Sequence, residues 1–543
     1  MWGGFGRPSF VIEGSPEMFK NYPKAASAVL FTLSASLLAC SEPVQTIDTV
    51  ITGKHIYQGG DHQAIAGVIG IDQGNIVFVG AQLPDNVSAK RIIDAGDSIV
   101  APGFIDTHTH ACNDFGNDQN NLNLNYTTQG VTTVFCNVDG GGEVDVAATF
   151  AEYEQHGVGT NVAMYVGHGS VRKAVMDKEN RDATDDELTQ MKALVEQAMQ
   201  AGALGLSTGL YYVPGNYANL NEVVELAKVA ARYHGAYDSH IRDESSYSIG
   251  LLASIQEVIA IGEQAHIPVH IAHIKALGVD VWGQSAEVIA MINDARQKGL
   301  DVTADQYPWN ASGTSIAGSL VPREVMAGTS EEYLARMQDE TNWPDLKLAM
   351  QENLRRRGGA ESLLISDPKR PDIRGLTLQQ VAELWQISPI DAARKIVIEG
   401  NARVASFNMS EQDINAFMLQ PWVMTSSDGS TGHPRKYGSF PKKFHDYVKQ
   451  QPVLSMQQFI KQSSTVAATT FGLLNRGELK AGNVADIVIF DENRFASKAD
   501  YLQPEALSEG VEWLLINGQL VIAQQQATNA LAGQVIRQSQ KTQ

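Results

Sequence analysis

Apolar positions along the chain keep two different rhythms. Between about 44 and 100 they fall in short runs, VQTIDTVITG, AGVIGID, GNIVFVG and the approach to IVAPGF. Gly53, Gly59-Gly60, Asp72-Gln73-Gly74 and Asp94-Ala95-Gly96-Asp97 separate them. Short apolar runs between such turn residues read as strands. From 100 onward, β-rich runs alternate with helical stretches, the signature of βα units on a parallel sheet. The candidate strands are GFIDTHTH, GVTTVFCN, NVAMYVGH, GALGLST, GAYDSHI, PVHIAHIK, GLDVTADQYPW and WVMTSSDG. Between them, Thr184 to Glu187 form a capping box. It opens a helix with Leu188, Met191, Leu194, Val195, Ala198 and Met199 on one side. A second helix is expected from about Asn221 to His234, with Gly235 as its C-cap. After 465 the short strands return in ELKAGNVADIVIFD and VEWLLINGQLVI.

These rhythms predict an α/β protein, a (β/α)8 TIM-like barrel over 101–460 beside a small β-sandwich. Both chain ends build the sandwich, from 41–100 and 461–525, and 526–543 is left as a tail. The charged, helix-like stretch from about 316 to 418 is too long for a βα connection. It reads as an insertion before the last strand, either a lid over the substrate or a structural appendage. In such barrels the active site gathers at the C-terminal ends of the strands.

Composition narrows the partners. A formal charge of −20 over 543 residues argues against nucleic acid, which needs basic surface. Three cysteines cannot build a disulfide framework, and Cys112 and Cys136 read first as small buried hydrophobes. Residues 1–40 resemble targeting sequence. Lys20 and Lys24 precede the apolar run AASAVLFTLSASLLA, which is short for a membrane span. It ends in Leu37-Leu38-Ala39-Cys40-Ser41, similar to a bacterial lipobox with Cys40 as the lipidated residue. The expectation is an envelope lipoprotein in the periplasm, on the outer membrane, touching the bilayer through its anchor alone. Residues before Met18 do not resemble a signal n-region, which makes Met18 an alternative start.

The chemistry concentrates at strand ends. His108 and His110 alternate along the first barrel strand and so share a face, about 7 Å apart along it. His240 closes the fifth strand and His273 the sixth. Four histidines from three strand ends, meeting at one mouth, suit a zinc site. Asp428, in Ser426-Ser427-Asp428-Gly429, ends the last strand. An acid there can ligate a metal, take a proton from water and pass it to a leaving nitrogen. Read alone, the dipeptide Asp428-Gly429 is an ordinary turn.

PGFIDTHTH, QGVTTV, VGHGSVR, GALGLSTGLYYVPG, SHIRDES, HIAHIK, DQYPW, SSDGSTGHPRKYGSFP and NRGELKAGNVADIVIFD occur in that order. Together they resemble the N-acyl-D-amino-acid deacylase (D-aminoacylase) branch of the amidohydrolase superfamily, from about 45 to 525. The resemblance implies a hydrolase with one or two zinc ions that cleaves N-acyl-D-amino acids. His108, His110, His240 and His273 match metal ligands, and Asp428 matches the catalytic aspartate. Lys275, Tyr307 and Arg435 match positions that hold the substrate carboxylate. Tyr212, His168 and His433 are expected to shape the site or polarise the carbonyl. One departure stands out. Relatives carry a metal-bridging cysteine after strand two, whereas here Asp139 takes its place and Cys136 lies three residues earlier. Asp139 is the favoured ligand and Cys136 the alternative. Two rival readings are a dipeptide, cyclic-amide or other small-amide hydrolase of the same superfamily and a non-catalytic binding lipoprotein.

Overall fold

A computed structural model describes residues 45–116 and 120–538. Cys40 and the apolar stretch 25–39 lie outside the described residues. None of the described helices is long and apolar enough to cross a membrane.

Eight parallel strands form the barrel: β1 (Phe104–Asp106), β2 (Val131–Cys136), β3 (Asn161–Met164, continued after Tyr165 by Val166–Gly167), β4 (Gly205–Gly209), β5 (Ala236–His240), β6 (Val269–Ile271), β7 (Val302–Gln306) and β8 (Val423–Thr425). Each pairs with the next in sequence. Closure runs between β1 and β8, where Thr109 bridges Gly429 and the Asp428 amide donates to the His108 carbonyl at 2.9 Å. The ring is therefore sealed at the residues expected to hold the metal. The helix Asp185–Gln200 starts at the expected capping box and buries Met191, Val195, Ala198 and Met199. The next helix, Leu220–Arg232, is capped by Asn219. Its left-handed exit falls on His234 (φ 57°), not on Gly235.

Both chain ends join in one nine-stranded sheet, where Ile99–Pro102 pairs antiparallel with Ile487–Phe490. Period-two alternation ties this sheet to the barrel. Val100, Ile487, Ile489 and Leu515 pack into the sheet's own core. Their neighbours Ile99, Ala101, Val488, Phe490, Leu514 and Ile516 enter the barrel's core. The stretch expected to be a tail is built into the barrel wall instead. The Val162 amide donates to the Gln534 carbonyl at 2.9 Å and the Ile536 amide to the Val162 carbonyl at 2.8 Å.

The insertion is not purely helical. It opens with the strand Ala311–Ser315, which pairs with Arg403–Phe407, and Leu363–Ile365 adds a third strand. Helices such as Trp343–Arg356 and Pro389–Ile398 cover it around a separate core of Ile316, Leu320, Met350, Leu363, Ile365 and Val404. The sequence ASGTS carries no alternation of apolar and polar residues, which hid this strand.

Candidate active site

A cavity of about 710 Å³ opens where the barrel strands end. His110, Asp139, Tyr212, Asp428 and Arg435 line it from the barrel side. Gly313, Thr314, Ser315, Tyr333 and Arg403 line it from the insertion. The insertion thus forms a wall of the site, which favours the substrate-side reading over an appendage. A recess of about 30 Å³ adjoins, sharing Tyr212, Asp428 and Arg435 and adding His240, Glu244 and Lys275.

Asp139 sits at the centre of two groups of metal-ligating side chains. One is His108, His110, Asp139 and Asp428, and the other is Asp139, His240 and His273. Asp139 Oδ1 lies 3.3 Å from His108 Nε2, 3.3 Å from His240 Nδ1 and 3.2 Å from His273 Nε2. Its Oδ2 lies 3.4 Å from His110 Nε2, which is 3.6 Å from Asp428 Oδ1. Tetrahedral zinc with ligands at about 2.0–2.1 Å has ligand–ligand edges of about 3.3 Å. The spacing around Asp139 matches those edges. Both ring nitrogens of His108, and Nε2 of His240, are buried without a hydrogen-bond partner. Buried imidazole nitrogens without partners are costly unless something binds them. The donor set thus fits two metal positions sharing one carboxylate.

Electrostatics point the same way. Burial alone would raise Asp139, yet His108, His110 and His240 hold its carboxyl well below the usual range. Burial opposes charge on His273 as well, and so does Lys275. Asp428, Glu244 and Asp139 override both and push it up to about 9. At His273, though not at His240, which burial holds below the usual imidazole range, this field favours a bound cation. Asp428 is likewise held low against burial, first by Arg435, whose Nη1 lies 2.6 Å from Asp428 Oδ2, and then by His273.

Backbone conformation places these groups. Asp139 (φ 56°), His273 (φ 34°) and Asp428 (φ 47°) all adopt left-handed dihedrals, which non-glycine residues rarely do. Such strain concentrates at functional sites. The Asp139 turn also rests directly on bare backbone. A Cβ at Gly209 would stand 2.1 Å from the Asp139 carbonyl oxygen, and one at Gly167 2.1 Å from that of Gly141. Only glycine at the ends of β3 and β4 admits this turn.

The other expected site residues fare differently. Lys275 is engaged away from the cavity centre, donating to Glu244 Oε1 at 2.5 Å and to the His273 carbonyl at 2.8 Å, and lying 2.7 Å from His273 Nδ1. Tyr307 is buried beneath Arg435, whose guanidinium lies 4.9 Å from its ring centroid. His433 is not a cavity wall. Its Nε2 donates to the Ala311 carbonyl at 3.1 Å and its Nδ1 accepts from the Arg435 amide at 3.1 Å. That links the insertion strand to the helix that carries Arg435. His168 is a correction too. It is buried against Glu222 at 2.8 Å, and Arg172 binds the same carboxylate. The reason is the turn Gly167-His168, which starts the helix His168–Met176 and aims the ring at the helix Leu220–Arg232.

Cys136 is also corrected. It forms a disulfide with Cys112 and has no free sulfur to ligate a metal. The bond ties the turn after His110 to the end of β2. Sequence reasoning saw two unrelated cysteines because their 24-residue separation gives no hint that β1 and β2 are neighbours at that level. Two further residues went unnoticed. Glu244, present in the quoted SHIRDES, lies 3.1 Å from His273 Nδ1, and its spacing of four from His240 was the available signal. Arg403 had no signal, since its position depends on the insertion's fold.

No family model matches the chain. Among curated proteins it is 30% identical to N-acyl-D-glutamate deacylase of Alcaligenes xylosoxydans xylosoxydans, over 88% of this chain and 94% of the relative. It is 28% identical to D-aminoacylase of the same organism, over 91% of this chain and 98% of the relative. The crystal structure of N-acyl-D-glutamate deacylase from Bordetella bronchiseptica, complexed with zinc and a phosphonate inhibitor, superposes with a TM-score of 0.78. That match has 29% identity and covers 91% of this chain and all of that one. A D-aminoacylase structure described for its binuclear metal centre gives 0.77 at 26% identity, over 90% of this chain and all of that one. Similarity of this extent, together with the ligand cluster at the barrel mouth, places the chain in the N-acyl-D-amino-acid deacylase family of amidohydrolases.

Proposed function

We propose that this protein is a zinc-dependent hydrolase of N-acyl-D-amino acids, releasing a carboxylate and the free D-amino acid. The observation that carries the reading is Asp139, whose two oxygens face two sets of histidines beside Asp428. His108, His110, Asp139 and Asp428 would hold one ion, and Asp139, His240 and His273 the other. Bound zinc supplies Lewis acidity and brings the pKa of water near neutrality. Asp428 stands at the mouth with one oxygen toward His110 and the other on Arg435, placed to accept a proton and return it to the departing amine. Arg435 offers a planar guanidinium that suits a carboxylate in two-pronged fashion. Lys275 and Glu244 fix the His273 ring by its far nitrogen, the second-sphere support that metal-binding histidines usually have. Tyr212 borders both the cavity and the recess, beside the path of the developing oxyanion.

The cell envelope is the proposed location, with Cys40 as a lipid anchor. The lipobox-like sequence supports this, and so does a disulfide, because such bonds persist in oxidising compartments. Metabolic labelling with palmitate, lost in Cys40→Ala, tests the anchor.

The function is tested by hydrolysis of paired N-acetyl-D- and N-acetyl-L-amino acids by zinc-loaded protein. Turnover of the D series that disappears in Asp428→Asn is the expected result. Zinc binding with no turnover of either series would leave a metal protein and remove the deacylase.

A further inference from the structure

The cavity holds two arginines in very different states. Arg435 is paired with Asp428 at 2.6 Å. Arg403, from the insertion strand Arg403–Phe407, has no carboxylate within 4.0 Å among the described residues. Its Nη2 donates to Ser430 Oγ at 3.1 Å, and Arg435 Nη2 donates to the same oxygen at 3.0 Å. Its Nε is buried without a partner. The nearby Asp367 is occupied elsewhere, its Oδ2 accepting from the Arg403 backbone amide at 2.9 Å. Burial and the neighbouring Arg435 both disfavour charge on Arg403. Asp428 and Asp367 favour the charge without pairing with the guanidinium, which cannot shed its proton in a protein, so an anion brought beside it in the cavity is favoured. Thr314, Ser315, Asn401 and Thr431 line the same cavity and offer hydrogen bonds, while Ala317, Met326 and Tyr333 add apolar surface.

We propose that Arg403 receives a second carboxylate of the substrate, so that the preferred N-acyl-D-amino acids carry an acidic side chain. This rests on the deacylase reading above. Arg435 is the group for the α-carboxylate, and Arg403, beside it on the shared Ser430 hydroxyl, reads the side chain.

N-acetyl-D-glutamate and N-acetyl-D-glutamine have the same shape and differ in charge, so their ratio isolates the effect. The zinc-loaded full chain should favour the glutamate compound in kcat/KM by about tenfold or more, as expected for a charge-assisted contact. In Arg403→Met the ratio should fall toward one, with the glutamine compound changed little. Arg403→Lys should restore part of the preference. Affinities for D-glutamate and D-glutamine, measured by calorimetry, should show the same pattern without any turnover. Equal use of both compounds by the native protein would overturn the proposal, as would equal losses for both in Arg403→Met. If neither compound is hydrolysed, the deacylase reading falls and the two product affinities still decide the role of Arg403.

Discussion

At the barrel rim, six ligand-type side chains come from the ends of β1, β2, β5, β6 and β8. Across the cavity, the facing wall comes from residues 313–315, 317 and 318 and from Asn401 and Arg403, in an insertion with a core of its own. The rim is fixed by the barrel's closed hydrogen-bonded ring, and its residues are grouped as a metal site requires. The wall hangs on strand pairing within the insertion, and its residues meet whatever the substrate carries beyond the scissile amide. A barrel of this kind can thus keep its chemistry while its selectivity changes with one inserted segment.

The strongest way to break this division is at the rim. Asp428→Asn should lower kcat by about 10³-fold while the ion held by Asp139, His240 and His273 is retained, the range expected for losing a positioned proton carrier. Asp139→Ala should lose metal outright after dialysis against a mild chelator, because one carboxylate serves both groups. Asp139→Cys, the residue type expected in relatives, should keep metal. Retention of full metal content in Asp139→Ala would separate the two groups and undo the shared-ligand reading.

Covalent support comes next. Removing Cys112–Cys136 in the double serine variant should destabilise the protein by about 3 kcal/mol, given the loop it closes. Denaturant unfolding with and without a reducing agent checks this. The loss should show in rim properties such as metal retention and leave the Arg403-dependent preference unchanged. A smaller effect is expected from Glu244→Gln. It acts on the metal through His240 and His273, and through Lys275, so metal affinity should fall about 10- to 100-fold with the fold intact.

What the sequence revealed follows the same division. His108 and His110 were visible because a strand's period of two puts them on one face. Asp139 could be placed by counting from the paired threonines Thr132 and Thr133. His240, His273 and Asp428 each followed an apolar run, so their strand-end positions were legible without tertiary information. The Ala311–Ser315 strand was not, because its residues are small and mostly polar and its partner lies far along the chain. Arg403 was hidden with it. His168 and His433 were misplaced for a related reason. A histidine in a glycine turn signals an unusual backbone, and only the fold shows whether the ring faces the cavity or a buried carboxylate such as Glu222.

Arg403 has an instructive counterpart beneath β8. Lys443 is fully buried, donates to Thr425 Oγ1 at 2.9 Å and to Gln462 Oε1 at 3.0 Å, and has no carboxylate within 4.0 Å among the described residues. Sealed from any ligand, it answers burial by giving up its proton, and its pKa is pushed down to about 7. Arg403 has no such option and borders a cavity. The sign of the resulting pH effect is fixed. Between about pH 7 and the unfolded lysine value of about 10.4, the unfolded chain binds the proton that the folded chain has released. Stability from this group therefore rises with pH across that window and is lowest below it. Unfolding of the native protein and of Lys443→Met at pH 7 and pH 9.5 should show the native form gaining on the variant by about 1 kcal/mol or more. An equal difference at both pH values would mean that Lys443 stays charged when buried, and the contrast with Arg403 would then rest on cavity access alone.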